Sequence, residues 1–343
     1  MAAKVVPFTS AYARAWDEFI GRSDQATFCH HRCWSEAVEE TYGHRSRSLL
    51  ALDPDGQITG VLPLFLVDRS ILGRSLVSVP FAPYGGPCAA DASVRNALLQ
   101  EAAGLADSLQ TRSLEVRTLT GGAPPGFSEM TDYSTFLMDL TGGTETIWDG
   151  MSRKVRNRIR NAGRHGLTFR MDRDLAAVRD FYGIYLRNQR DLGTPAHGAG
   201  FFGCIFRLFP GKVSIARVFQ GDRVVASLFI LGFREMLTVS WGASLGESQK
   251  HSPNNLAYWE TLRYAAAEGY RFLDFGRSLK GSGNYRFKQH WNGTEVPLHY
   301  LFYPGPAREK PLPERYRGLG RIWRRLPLAA TRVLGPRIRK YFV

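Results

Sequence analysis

The stretch LDFGRSLKGSGNYRFKQHWNG, residues 273–293, places Asp274, Arg277, Lys280 and Lys288 around a glycine-rich turn at the end of an apolar run. Such a turn after a strand can cradle a phosphate through its main-chain N–H groups. It can equally be an ordinary loop with solvated lysines. Asp274, at the strand end, either accepts a proton or pairs with Arg277. His290 and His299 titrate near neutrality and are candidate bases, although both also suit plain surface positions. Glu115 and Arg117 alternate on one strand and can simply pair. Tyr84, Gly85 and Gly86 read either as the lining of an acceptor cleft or as a structural turn.

CHHRC at 29–33 brings two cysteines and two histidines together. Structural zinc sites normally use two separated ligand pairs, and no second pair follows. The expectation is no metal, with four reduced thiols and a loop running into a helix that carries Trp34, Ala37 and Val38.

The net charge of +14 is concentrated. Residues 151–170 hold seven Arg/Lys and no acid, and residues 315–343 hold nine and no acid. Those 16 of the 45 basic residues leave 29 against 31 acidic ones elsewhere. Two local basic surfaces therefore carry the whole excess, which points to polyanionic partners, namely nucleic acid, phosphorylated ligands or anionic lipid; tRNA, a sugar nucleotide and a lipid-linked precursor are candidates within these classes. A helix over 151–165 has a narrow apolar stripe, Met151, Val155, Ile159 and Ala162, with arginines on its other faces. Arg156 and Arg160 are candidate phosphate contacts, and a solvated linker is the competing reading. Residues 315–343 add Trp323, Leu326, Leu328, Val333, Leu334, Ile338 and Phe342 to their cations. Pro327 and Pro336 break the segment into short pieces. It is expected either to lie on an anionic membrane surface or to fold back onto the protein.

The elements that must position these residues follow from periodicity. Helices occupy 11–42, a hairpin turns at Pro54-Asp55-Gly56, helix 93–109 follows, and SLEVRTL is a strand. Helix 174–191 precedes three strands within 212–244. Helix 256–268 ends at Gly269, and YRFLDFG is the strand that delivers Asp274. No run of apolar residues is long enough to span a bilayer, and the N-terminus shows no signal peptide, so the expected location is cytoplasmic or peripheral on the inner membrane face. Each half holds a hairpin, a helix and a strand leaving that helix.

The order of three strands, loop, helix and strand over 213–276 resembles the GNAT acyltransferase fold. GVLPLF, SVPFAPYGG, RKVRNRIRNAGRHGL, PNNLAYWETLRYAAAEGYRFLDFGRS and GSGNYRFKQHW, in that order along the chain, resemble the Fem family, most closely its members associated with PEP-CTERM/exosortase exopolysaccharide systems. The resemblance spans most of 15–340. It implies an α+β chain of two GNAT-like domains sharing a cleft, at 1–143 and 144–305, with a basic tail at 306–343. It also implies an acyl- or aminoacyl-transferase acting on an amine or hydroxyl of a cell-envelope or exopolysaccharide precursor. The implied donor is aminoacyl-tRNA or acyl-CoA, with no tightly bound cofactor. Tyr285, Phe287 and Lys288 would lie near the reacting groups. Gly281 and Gly283 would let the chain turn sharply out of the strand, so that Arg277, Lys280 and Lys288 present positive charge to an anion or a developing oxyanion. Where GNAT enzymes carry a pyrophosphate loop of the pattern (Gln/Arg)-x-x-Gly-x-(Gly/Ala), this chain has LGESQKHSPNN, with one glycine out of place. A non-catalytic scaffold for polysaccharide assembly and a plain acyl-CoA N-acyltransferase are the competing functions.

Overall fold

A computed structural model describes residues 3–68, 73–305 and 317–342. The chain forms two compact units. One runs through Tyr133 and resumes at Pro297; the other comprises Ser134–Val296 and the C-terminal segment to Phe342. Sequence alone places the main boundaries at 143/144 and 305/306. The boundaries of the units fall instead inside two long strands, Ser128–Asp139 and Thr294–Tyr303. The strand Ser128–Asp139 carries no glycine or proline to mark the change, whereas the boundary in Thr294–Tyr303 falls at Pro297.

In the first unit, strands Lys4–Pro7, Leu49–Leu52, Ile58–Leu62 and Cys88–Ala89 form one small sheet. The hairpin turn at 54–56 forms as read: Asp53 accepts from the N–H groups of Asp55 and Gln57, and Gly56 supplies the positive φ. Helix Ala92–Ser108 is capped by Asp91, whose carboxylate accepts from Val94 N at 2.9 Å. Its Val94, Leu98, Leu99, Ala102 and Ala106 enter a core with Leu49, Leu62, Leu76, Leu114 and Leu301. A parallel pair, Arg74–Val77 with Ser113–Thr118, forms the centre of the unit's other strands.

In the second unit, strands Leu167–Asp172, Val213–Gln220, Arg223–Phe233 and Met236–Ser244 run antiparallel in that order. Residues Val225–Gly232 are buried without interruption. Side chains alternate faces along a strand, so both faces are covered, by helices Leu175–Leu192 and Pro253–Ala267 among others. Met236–Ser244 then pairs in parallel with Phe272–Asp274, which pairs antiparallel with the 137–139 segment.

Four helices go beyond the periodicity reading. Helix Ala199–Leu208 is too uniformly apolar to show a stripe, and it is buried through Phe201, Phe202, Cys204 and Ile205. The glycine-rich stretch read as a turn folds into a short helix, Gly283–Gln289. The basic tail contains helices Arg317–Trp323 and Leu328–Arg339, whereas its residues 306–316 and 343 lie outside the described ones. The basic helix begins at Arg153, capped by Ser152, and buries Val155, Ile159 and Ala162 as expected. Met151 is buried just before it, at the end of a separate helix Gly143–Gly150.

Candidate active site

Strands Met236–Ser244 and Phe272–Asp274 pair in parallel at three positions, Met236 with Phe272, Leu237 with Leu273 and Thr238 with Asp274. There the shorter strand ends and the chains part. The longer strand is also distorted at this point. Phe229 of its antiparallel neighbour faces Trp241 and Ile230 faces Val239, so Ser240 is an extra residue, a β-bulge. Bulges re-aim a strand and recur beside active sites. The carboxyl ends of parting parallel strands are where open α/β sheets bind ligands.

The residues at this parting form one connected group. Asp274 is fully buried and accepts from the Thr135 hydroxyl and from Gly276 N, the latter at 2.7 Å. Gly276 has φ +75°, and a Cβ there would lie 2.5 Å from the Val239 carbonyl oxygen. Only glycine allows this turn and this approach together. Lys288 is 3% exposed. Its Nζ donates to the carbonyls of Gly276 at 2.6 Å and Arg277 at 3.3 Å. Burial pulls its proton affinity down to about 7, against a smaller opposing pull from Asp274. A neutral amine uses two N–H bonds on the two carbonyls and keeps a lone pair.

The helix Gly283–Gln289 sets this lysine. Ser282 caps it, accepting from Tyr285 N at 3.1 Å, and Asn284 reaches back to Ser278 at 3.1 Å. Tyr285, one turn before Lys288, donates to Glu295 at 2.8 Å, and Ser134 donates to the other oxygen of Glu295 at 2.6 Å. The bond to Glu295 raises the phenol's proton affinity. Phe275 stacks on Tyr258 at 5.1 Å, and Phe287 and Trp291 complete an aromatic wall behind the turn. Burial, then the charge of Asp274, raises the Tyr258 phenol, keeping it protonated.

Of the residues singled out from sequence, Asp274, Arg277, Tyr285, Phe287 and Lys288 come together here. Lys288 is sealed in behind the turn, however, and not presented on an open loop, because its amine serves the carbonyls of 276 and 277. Phe287 belongs to the aromatic wall. Lys280 and Gly281 stand exposed on the turn, and Gly283 opens the helix. Tyr84 and Gly85 lie in the interior of the first unit. Tyr84 packs with Leu298, Tyr300 and Phe302, and a Cβ on Gly85 would strike Cys29 and Val79 at 2.8 Å. Arg156 reaches Asp149 at 3.7 Å, and Arg160 lies over the Trp148 ring at 5.4 Å. His299 pairs with Glu129, and His290 is exposed.

In the CHHRC segment, His30 accepts from Thr27 N at 3.0 Å and bonds the Gly86 carbonyl at 2.9 Å. His31 caps helix Arg32–Tyr42. No cluster that could hold a metal occurs among the described residues. Sequence reasoning missed Thr135, Ser134, Glu295 and Tyr258. Ser134 and Thr135 come from a strand more than a hundred residues away, and Glu295 and Tyr258, though nearer in the chain, carry no local pattern that marks them.

Residues 150–289 match the family described as Acetyltransferase (GNAT) domain. No curated protein matches the chain. Among solved structures, FemX superposes with a TM-score of 0.64 at 14% identity, covering 92% of this chain and 100% of FemX. The C-terminal domain of a putative lysylphosphatidylglycerol synthetase from Agrobacterium fabrum gives 0.55 at 12% identity, covering 87% and 92%. A tandem GNAT protein from the clavulanic acid biosynthesis pathway gives 0.55 at 10%, covering 89% and 99%. At these identities the likeness is one of fold. The parting strands lie inside the segment, residues 150–289, that matches the acetyltransferase (GNAT) domain family, and the chain shares the fold of FemX and of the tandem GNAT protein.

Proposed function

We infer that the chain transfers an acyl or aminoacyl group from a phosphate-bearing activated donor to an amine or hydroxyl of a cell-envelope precursor, at the parting beside Gly276 and Lys288. The observation that carries this is the buried Lys288 amine, bonded to the carbonyls of Gly276 and Arg277 at the end of two paired parallel strands in the segment that matches a GNAT domain; burial lowers its pKa to about 7. Acyl transfer to an amine needs alignment of both reactants and a proton acceptor. The acceptor's N or O attacks the donor carbonyl, a C–N or C–O bond forms, and the donor's thiol or ribose oxygen leaves. Lys288 takes the proton lost by the attacking group and returns it to the leaving group. Asp274, held by Thr135 and Gly276 N, is a positioning residue: it fixes the turn whose carbonyls hold the lysine.

Both donor classes, aminoacyl-tRNA and acyl-CoA, carry phosphates. The start of helix Pro253–Ala267 offers the positive end of the helix dipole. Lys250 and His251 precede it, and Asn161 of the basic helix touches the Lys250 carbonyl at 3.5 Å. The cations of 153–164 therefore stand beside that helix start. Supply of lysyl-tRNA or acetyl-CoA with hydroxylamine as surrogate acceptor tests the reading. Protein-dependent hydroxamate from one of them is expected. Its absence with a panel of aminoacyl-tRNAs and acyl-CoAs overturns it.

A further inference from the structure

All six large hydrophobic side chains that are exposed among the described residues lie in two segments of the second unit. Leu175 and Leu192 stand at the ends of helix Leu175–Leu192. Leu319, Ile322, Val333 and Leu334 stand on the two C-terminal helices, with Leu319 at 62%, Ile322 at 63% and Val333 at 54% exposure. The segments adjoin. Helix Leu328–Arg339 packs on Leu175–Leu192, and the Arg324 guanidinium donates to the Leu192 carbonyl at 3.4 Å. Gly193 lies so near Gly320 that a Cβ would fall 2.6 Å from its oxygen. The tail thus folds onto the domain through Trp323, Thr331 and Gly335, which are buried, and turns its other apolar residues outward.

Between these helices and Ala199–Leu208 runs a groove of about 1070 Å³, lined by Leu175, Val178, Tyr182, Leu186, Leu328 and Val333 among others. Its lining includes Arg179, Arg187 and Arg332 and no acid. Residues 317–342 carry eight Arg/Lys and no acid; Arg321, Arg325, Arg332 and Arg337 are exposed. An apolar face in a cationic frame is complementary to a surface that is anionic outside and apolar beneath. A second copy set symmetrically on this face would oppose like charges, which is costly.

We propose that the face formed by helices Leu175–Leu192, Arg317–Trp323 and Leu328–Arg339 docks on an anionic phospholipid bilayer. Its apolar side chains enter the headgroup boundary while the arginines meet lipid phosphates. No helix among the described residues is long and apolar enough to cross a membrane, so the contact is interfacial. Flotation of the full chain with phosphatidylcholine vesicles, with and without phosphatidylglycerol, is the test. Binding to the anionic vesicles should exceed binding to neutral ones at least about 10-fold and fall away in about 0.5 M salt. The double substitution Leu319→Glu/Ile322→Glu should cut flotation about 10-fold or more with the melting temperature unchanged, since both side chains point outward. Arg321→Ser/Arg325→Ser should remove the preference for anionic lipid. Equal binding to both vesicle types, or undiminished flotation of the glutamate variant, overturns the proposal. So does a concentration-dependent dimer that the glutamate variant abolishes while the intact chain ignores vesicles.

Discussion

Each unit carries a short parallel strand pair in register over three residues: 75–77 with 113–115 in the first, 236–238 with 272–274 in the second. In each a buried cation holds the main chain just beyond the pair. In the first unit it is Arg117. Its guanidinium donates to Glu115 at 2.7 Å, Ala82 O at 3.0 Å and Val79 O at 3.4 Å. Residues 78–86 fold back over it: Ser78 N bonds Glu115 O, and Gly85 N bonds Arg117 O. In the second unit it is Lys288, bonded to the carbonyls of 276 and 277. A guanidinium does not give up its proton in a protein, whereas a desolvated lysine does. The same local geometry therefore holds a guanidinium in one unit and, in the other, a lysine whose pKa burial lowers to about 7.

The sharpest break of this comparison is at the two cations. Lys288→Gln keeps N–H donors for the carbonyls but cannot take a proton. Turnover should fall at least ~100-fold with little change in melting. Arg117→Met should leave turnover per folded molecule intact and cost about 3 kcal/mol of stability, because Glu115 and two carbonyls lose their buried partner. Turnover loss in the arginine variant, or none in the lysine variant, would erase the distinction.

Titration sharpens it further. His30, in the first unit, is buried as a neutral ring that accepts from Thr27 N, and desolvation pulls its pKa down to about 4. The unfolded chain then binds more protons between about 4 and the ordinary 6.5. Stability should accordingly drop by about 3 kcal/mol as pH falls through that window, and chemical denaturation of His30→Gln should show a flatter slope. Lys288, lowered to about 7 from 10.5, acts in another window. Here too the unfolded chain binds the extra proton, so stability rises with pH from about 7 towards 10.5.

Lys288 also gives a kinetic sign. A proton acceptor works when neutral, so the rate should climb with pH through about 7, and the limb should vanish in Lys288→Gln. A rate that falls through the same pH would make the lysine an oxyanion-stabilising cation instead. The smallest effect belongs to the basic helix. Arg156→Ser/Arg160→Ser should weaken donor binding several-fold and flatten its salt dependence; an unchanged slope would leave 153–164 a solvated face.

Local order in the chain determined much of this. The hairpin at 54–56, the capped helices after Asp91, Ser152 and Asp174, and the strand ending at Asp274 follow from turn chemistry, caps and periodicity, which act between near neighbours. The ordered motifs also pointed to the GNAT-type fold and to Lys288. Only tertiary structure decided what those residues do. Whether Lys288 faces solvent or is desolvated to a pKa of about 7 depends on its burial against the carbonyls of Gly276 and Arg277. Whether Tyr84 lines a surface or fills a core depends on strand 294–303, more than two hundred residues away. Thr135 and Glu295 joined the site through strand pairing, which leaves no trace in either local sequence. The tail's amphipathic pattern likewise could not say which apolar residues turn inward. Tertiary packing buried Trp323 and Thr331 and left Leu319 and Ile322 in water, because burial is a property of partners and not of the segment that carries the side chains.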